Sequence, residues 1–508
     1  RVMSEEMLLG PPGCGKTYSL IQRVQEALED GVEPEQIGFM SFTKKAVQEA
    51  VERSCGKFGF DEKRLPYFRT LHSIGFRGLG LVSGDMLAKD DWRKLGHGLG
   101  LSFENAEGAV PDDGILIPAI GGDGGKYIQL IDRSRYRMID MEKEFNEAED
   151  WDLSFPKMKQ IEVSVALYKS KFGKMDFVDL IEQYMNVEPP YLKLLIVDEA
   201  QDLTPLQWEM VEHMKSNAEN VVYAGDDDQA IHRWTGVDVN RFINATDNKT
   251  ILTQSYRLPR SVWSLSQQVV KRIDNRIEKE FLPMEEEGLV EYHLSRHTIP
   301  YHKGSWTIMA RTNSFVREFA ESLREDGYLY SVKGRPSIHP DAVDVIVAWR
   351  DLQAGNSLSL RRVKKMYASV PKQGDYAVVK RGSARLLDAA DPEAMLDYET
   401  LVRDYGMIAP LYTDAMDVAR FGKEQKLYVR SIERRGEDIT QPPRLKVSTF
   451  HAMKGGEDDN CVVYLGIPRV CAQSKHPDDE HRAFYVGITR ARKELHILDT
   501  DKRYKYQL

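Results

Sequence analysis

Lys16, Thr17, Asp198 and Glu199 are the residues whose types and spacing can do chemistry. The first two close Gly10-Pro11-Pro12-Gly13-Cys14-Gly15-Lys16-Thr17, a complete G-x-x-x-x-G-K-T pattern. Glycines at 10, 13 and 15 let backbone N–H groups converge on phosphate oxygens. Lys16 then reaches the β- and γ-phosphates, and the Thr17 hydroxyl can ligate Mg²⁺. Asp198-Glu199 ends the apolar run 192–197. An Asp at a strand end holds the metal, directly or through water, and the adjacent Glu orients the attacking water as general base. Each piece alone has a mundane reading, a Gly/Pro turn before a helix or a solvated acidic turn. Found together they point to binding and hydrolysis of a Mg²⁺–nucleoside triphosphate.

Such residues need elements to position them. Leu8-Leu9 reads as a buried strand end, followed by the glycine-rich loop and an amphipathic helix over about 17–28. The run 37–43 predicts a second strand, with a helix from Lys44, and 69–72 another strand end. Apolar runs at 192–197, 221–224 and 250–252 each lead into polar residues: Asp198 to Asp202, Gly225 to Gln229, and Gln254 to Arg257. Strands alternating with helices, with reactive residues at the strand C-termini, predict a doubly wound parallel sheet. A second α/β unit begins near Pro259, with strands at 306–310, 445–449, 461–465 and 495–498 and a helix at 315–323. Gly-rich turns at 96–100 and 121–125 mark a mostly helical insertion in the first unit, and a second helical insertion interrupts the other between about 336 and 443.

At 508 residues the chain is too long for one core. No run of about 18 apolar residues appears and no signal peptide is visible, so neither a membrane span nor a membrane partner is expected. Cys14, Cys55, Cys461 and Cys471 are scattered without metal-ligand spacing, which points to a reducing compartment and away from a zinc site. Lys plus Arg total 70 against 79 Asp plus Glu, a net charge of −9. A binder that held nucleic acid by bulk charge alone would be basic. A motor that grips single strands can instead use local basic and aromatic residues on an acidic body.

The succession GPPGCGKT, SFTKKAVQE, RTLHS, DFVDL, IVDEAQD, AGDDDQAIHRW, LTQSYR, VSTFHAMKGGE and EHRAFYVGITRAR resembles the UvrD/Rep-like superfamily 1A DNA helicases over nearly the whole chain. The compactness is similar to phage-encoded members. The resemblance implies an α/β fold of two RecA-like P-loop domains, each with a mainly helical insertion. Residues 1–74 with 175–258 would form core 1A, 75–174 insertion 1B, 259–337 with 444–508 core 2A, and 338–443 insertion 2B. It implies ATP and Mg²⁺ as cofactors, with translocation 3′ to 5′ on single-stranded DNA and duplex unwinding. Partners would be single-stranded DNA and single/double-strand junctions, with replication or repair proteins, in the cytoplasm of a bacterial or phage-infected cell.

By the same resemblance Gln229 senses the γ-phosphate and couples it to DNA. Arg257 and Arg490 act as arginine fingers on transition-state charge, and Glu457 contacts the ribose. Phe42, Thr43, His72, Trp234, Arg311, Asn313, Thr449 and His451 match positions lining the single-stranded DNA groove. Phe42 and Trp234 are the stacking candidates, because stacking is sequence-tolerant and worth about 1–3 kcal/mol per base. Taken singly, such aromatics are more often core residues, and such arginines solvated surface charges.

Several positions depart from the family pattern. Lys454-Gly455-Gly456-Glu457-Asp458 stands where Lys-Gly-Leu-Glu-Phe is usual, His232 where Tyr is frequent, and Thr235 where Arg is common. No glutamine motif for adenine is visible in residues 1–9 ahead of the phosphate loop, and the segment 466–479 is shorter than the family's strand-separating hairpin. Two rival functions follow: a single-strand translocase that displaces bound proteins and unwinds weakly, and a nucleotide-gated DNA-binding or recruitment module. RNA as the track is a third.

Overall fold

A computed structural model of the chain describes residues 4–41, 44–105, 120–148, 152–374 and 376–508. Strands β1 (Ser4–Leu9), β2 (Ile37–Ser41), β3 (Phe68–Arg69), β4 (Leu192–Asp198), β5 (Ala218–Gly225) and β6 (Lys249–Ile251) form a wholly parallel sheet in the order β3-β2-β4-β5-β1-β6. Period-2 alternation buries both faces. Leu8, Phe39, Ile196 and Val222 pack on one side with Leu20, Ile21 and Val24 of helix α1 (Lys16–Glu29). Met7, Leu9, Leu195, Val197, Val221 and Tyr223 pack on the other, with Leu71, Ile181 and Trp208. A sheet buried on both faces explains why its strands read as continuous apolar runs. Because all six strands are parallel, the segments after β1, β4, β5 and β6 emerge at one edge.

The second sheet holds β7 (Leu289–His293), β8 (Trp306–Ala310), β9 (Tyr330–Val332), β10 (Arg335–Pro336), β11 (Leu445–Thr449), β12 (Asp458–Tyr464) and β13 (Ala491–Leu498), in the order β10-β9-β11-β8-β12-β13-β7. All its pairings are parallel except the β9–β10 hairpin. One face packs under helices that include Arg260–Val270 and Pro477–Ile488. Cys14 of the phosphate loop joins this second cluster, so the two sheets share a packed boundary.

Helices Lys89–Leu99, Gly125–Arg137, Met141–Glu147 and Phe155–Phe172 follow the first three strands. Trp92, Leu95, Ile128, Ile131, Met158 and Ile161 form a separate core there. Between β10 and β11 the chain is again mainly helical, but its apolar side chains are continuous with the second sheet's other face, through Trp349, Leu352 and Tyr428 beside Ile308 and Val447. The reading of a strand end at 69–72 is corrected in one respect: β3 stops at Arg69, and Leu71 and His72 open the helix Leu71–Gly78.

Candidate active site and nucleic-acid interface

The loop after β1 is shaped by what cannot be there. Gly13 has φ +74°, and a Cβ on it would stand 2.3 Å from Arg257 Cβ. Only glycine allows both the backbone twist and that approach. The loop is laced to the segment after β6: Tyr256 N–H donates to Gly13 O at 2.9 Å, and Ser255 Oγ to Pro12 O at 2.8 Å. Gly15 caps α1 in the left-handed region, with no side-chain cap and no acid in the first turn. The helix N-terminus therefore keeps its dipole and N–H groups for an anion. Thr17, its second residue, is partly exposed.

Lys16 Nζ ion-pairs with Glu199 Oε1 and lies 3.4 Å from Asp198 Oδ1. Burial works against the Lys16 ammonium, but the two carboxylates outweigh it and hold it protonated. Glu199 is held low in turn: Lys16 and then Lys454 overcome its own desolvation. Asp198 is pushed up by burial. Glu199 adopts φ 54°, a left-handed backbone that a non-glycine residue occupies only under constraint. Gln201 supplies part of it, donating through Nε2 to Glu199 Oε2 and accepting from Asp226 N–H at 3.1 Å.

Across the cleft, Glu457 and Arg490 stand just before β12 and β13, so the second sheet turns the N-terminal ends of these strands toward the C-terminal ends of the first. Arg490 is buried, yet its acceptors are all neutral: Val486 O at 2.8 Å, Gly456 O at 3.2 Å, Thr489 Oγ1 at 3.2 Å and Gln229 Oε1 at 2.7 Å. Burial, and then the nearby Arg257 charge, pull its pKa down to about 9. A desolvated guanidinium with no carboxylate partner among the described residues marks a place for an anion. Gln229 Nε2 donates to Asp226 Oδ2 at 2.7 Å, so one amide spans from β5 to Arg490. Arg257 Nε pairs instead with Glu457 Oε2 at 2.6 Å.

The unusual Gly455-Gly456-Glu457-Asp458 stretch is accommodated. Gly455 has φ +77°, and Asp458 is buried but accepts from Thr307 Oγ1 at 2.9 Å, Lys446 Nζ at 3.0 Å and Ser305 Oγ at 3.1 Å.

Of the groove positions, Phe42 and Thr43 lie outside the described residues. Trp234 is 43% exposed, which removes the reading of a core tryptophan. His72 is buried, its Nε2 2.9 Å from Tyr136 Oη and its ring edge-on to Phe177, and burial lowers its pKa to about 4. Thr449, the last residue of β11, is buried and accepts from Ala452 N–H at 3.2 Å. His451 lies 6.0 Å ring to ring from His232, its pKa lowered to about 3, chiefly by burial and then by Arg311. Arg311, just after β8, makes a two-pronged pair with Glu480, both bonds 2.8 Å, and Asn313 is exposed at the start of the next helix. Thus His232, His451, Thr449 and Arg311 gather around the loops after β5, β8 and β11, while His72 faces the helix Gly125–Arg137.

Sequence reasoning left several residues of this region unassigned. Lys454 Nζ bonds both Asp202 Oδ2 and Gln229 O, bridging the two units. Lys279 is buried among Asp226, Asp227 and Asp228, and Arg276 clasps Asp228 at 2.7 and 2.8 Å. Arg482 Nε donates to Asp227 O at 2.9 Å. The acidic run at 226–228 was the available signal: three adjacent buried carboxylates demand cations from elsewhere.

Among the described residues no helix is long and apolar enough to cross a membrane. Residues 3–235 match the family model described as AAA domain, and residues 413–502 that of the UvrD-like helicase C-terminal domain. The Bacillus subtilis protein YjcD is 26% identical over a stretch covering 64% of this chain and 46% of that protein. ATP-dependent DNA helicase PcrA of the same organism is 23% identical, over 98% of this chain and 81% of the relative. ATP-dependent DNA helicase Rep of Escherichia coli is 21% identical, over 98% and 89%. The chain therefore spans less than half of YjcD and more than four fifths of PcrA and Rep. With both family models in their order, and two parallel-sheet units meeting at a phosphate loop, the chain belongs to the UvrD/Rep-like superfamily 1A family of ATP-dependent DNA helicases.

Proposed function

We propose that the chain is an ATP-driven motor that moves 3′ to 5′ on single-stranded DNA and opens duplex at a single/double-strand junction. The observation that carries this reading is the buried, carboxylate-free Arg490 joined to Gln229 across the cleft. The donor set fits a Mg²⁺–ATP complex: an uncapped helix N-terminus, Lys16 and Arg490 for the phosphates, and Thr17 with Asp198 for the metal. When bound, that complex supplies the phosphoanhydride bond and the metal charge. Lys16 then exchanges Glu199 for phosphate oxygens, freeing the Glu199 carboxylate to take a proton from water. Arg257 exchanges Glu457 for phosphate, and Glu457 turns to the ribose. Gln229 and Lys454 carry the change to the loops that hold Trp234, His451, Thr449 and Arg311, where alternating grip by the two cores becomes directed steps. Under this reading residues 1–74 with 175–258 and 259–337 with 444–508 act as the cores, 75–174 and 338–443 as their insertions. The work belongs in the cytoplasm of a bacterial or phage-infected cell, beside replication or repair proteins.

Parallel measurement of ATP hydrolysis and unwinding on 3′-tailed, 5′-tailed and blunt duplexes tests it. Unwinding confined to the 3′-tailed substrate is expected, and equal use of 5′ tails overturns the polarity. One observation favours a second reading, a translocase that displaces proteins and unwinds weakly: the segment 466–479 holds only the short helix Arg469–Ala472 before Pro477 begins the next one.

A further inference from the structure

The outer edge of the second sheet holds two buried histidines in contact. His293 on β7 and His496 on β13 are both buried, and His293 Nε2 lies 2.8 Å from His496 Nδ1. Parallel register places Glu291 beside His496, and its Oε2 is 3.7 Å from each of those two nitrogens. We propose that Glu291, His293 and His496 form a site for a divalent transition metal of zinc type, clamping edge strand β7 to β13.

Hydrogen-bond accounting around the pair carries the proposal. Thr298 Oγ1 spends its proton on Ser295 O at 2.8 Å, so toward His293 it can only accept. His293 Nδ1, 2.7 Å away, must therefore be the N–H, which leaves His293 Nε2 a bare lone pair in the neutral ring. On the other ring, His496 Nε2 faces the Glu494 carboxylate at 3.3 Å and is likewise the donor. His496 Nδ1 is then also bare. Two lone pairs and a carboxylate oxygen converge on one point, and a cation there satisfies all three.

The separations suit a metal. Tetrahedral zinc with bonds of about 2.0 Å sets its ligand atoms about 3.3 Å apart, and the three observed separations of 2.8, 3.7 and 3.7 Å bracket that value. Both histidines already have the outer partner that metal-bound imidazoles take, an oxygen on the far nitrogen that fixes tautomer and ring orientation. Trp306, ring to ring 4.9 Å from His496, walls the inner side, while Glu291 is half exposed and leaves a path from solvent. The cysteine spacing that argued against zinc in the sequence is not involved.

The test uses the whole chain, stripped with chelator and dialysed without nucleotide against Zn²⁺ in excess Mg²⁺, which occupies oxygen-only sites. One Zn²⁺ per chain is expected. A rise in melting temperature of about 5 °C should accompany Zn²⁺ at a hundredfold excess over its dissociation constant. Glu291→Ala removes an exposed ligand with little risk to folding and should weaken Zn²⁺ binding at least about tenfold. His496→Gln should abolish it. Co²⁺ in place of Zn²⁺ should show tetrahedral ligand-field bands with no thiolate charge-transfer band. Failure to retain Zn²⁺, equal binding by Glu291→Ala, or a thiolate band from the cysteines would each overturn the site.

Discussion

Arg490 Nη2 and Gln229 Oε1 meet at 2.7 Å, although the two residues are 261 positions apart. The contact joins the residue before β13 to the loop after β5, and so ties the two sheets at the phosphate end of the cleft. Arg490→Ala should lower kcat for ATP by about 10³-fold, with a smaller change in KM, because such a cation acts on transition-state charge. Arg490→Lys should recover little, since one ammonium cannot serve Gln229, Gly456 and a phosphate together. Steady-state ATPase assays with saturating single-stranded DNA decide it, and a change confined to KM would remove the finger role.

Glu199→Gln should nearly abolish hydrolysis while ATP and DNA still bind. In the free protein Glu199 neutralises Lys16, so the amide also leaves that ammonium less compensated. ATP affinity should hold or rise, and fluorescent-nucleotide titration measures it. Substantial turnover remaining in this variant would exclude Glu199 as the base.

Trp234 is 43% exposed, so its removal opens no cavity. Trp234→Ala should leave the melting temperature within about 1–2 °C, since surface substitutions stay within about 0.5 kcal/mol. Measurable DNA-dependent ATP hydrolysis should persist, with most unwinding per ATP lost. Equal fractional losses of every activity, with a melting point lowered by several degrees, would sink the stacking role.

Lys454 is the cation that compensates the buried Asp202, whose pKa burial has raised to about 6 against that attraction. Lys454→Met strands the carboxylate and should cost about 3 kcal/mol at pH 7.5. Adding Asp202→Asn should restore most of it. The sign of the pH effect follows from the raised folded-state value, which loss of Lys454 raises further: the folded state binds the extra proton, so stability of the variant returns as pH falls from 7.5 to 5.5. Denaturant unfolding of the three proteins at pH 5.5 and 7.5 checks this.

His72 gives the opposite slope. Its folded pKa of about 4 lies below the ordinary 6.5, so the unfolded chain binds the extra proton between those values. Its contribution is complete above pH 6.5 and is lost as pH falls toward 4, up to about 3 kcal/mol. His72→Gln should flatten that part of the acid melting profile. An unchanged slope would show that His72 is not the buried neutral ring described here.

The phosphate loop, the Asp198-Glu199 pair and the alternation of strands and helices were legible in the amino-acid sequence because each is local. A loop that cradles phosphate is one contiguous peptide, and a strand buried on both faces is one apolar run. The same locality explains a miss: β7 reads Leu-Val-Glu-Tyr-His, an edge strand with most residues exposed and no apolar run to announce it. Tertiary structure alone decided which charges meet. Lys454 finds Asp202 across 252 positions, Lys279 enters the acidic loop, and His293 finds His496 across 203. It also decided that Trp234 is open and His72 closed, though both stand in comparable motifs. Motif spacing specifies a backbone path within one segment, whereas these contacts depend on the register of parallel strands far apart in the chain and on the packing that brings the strand ends of two sheets together.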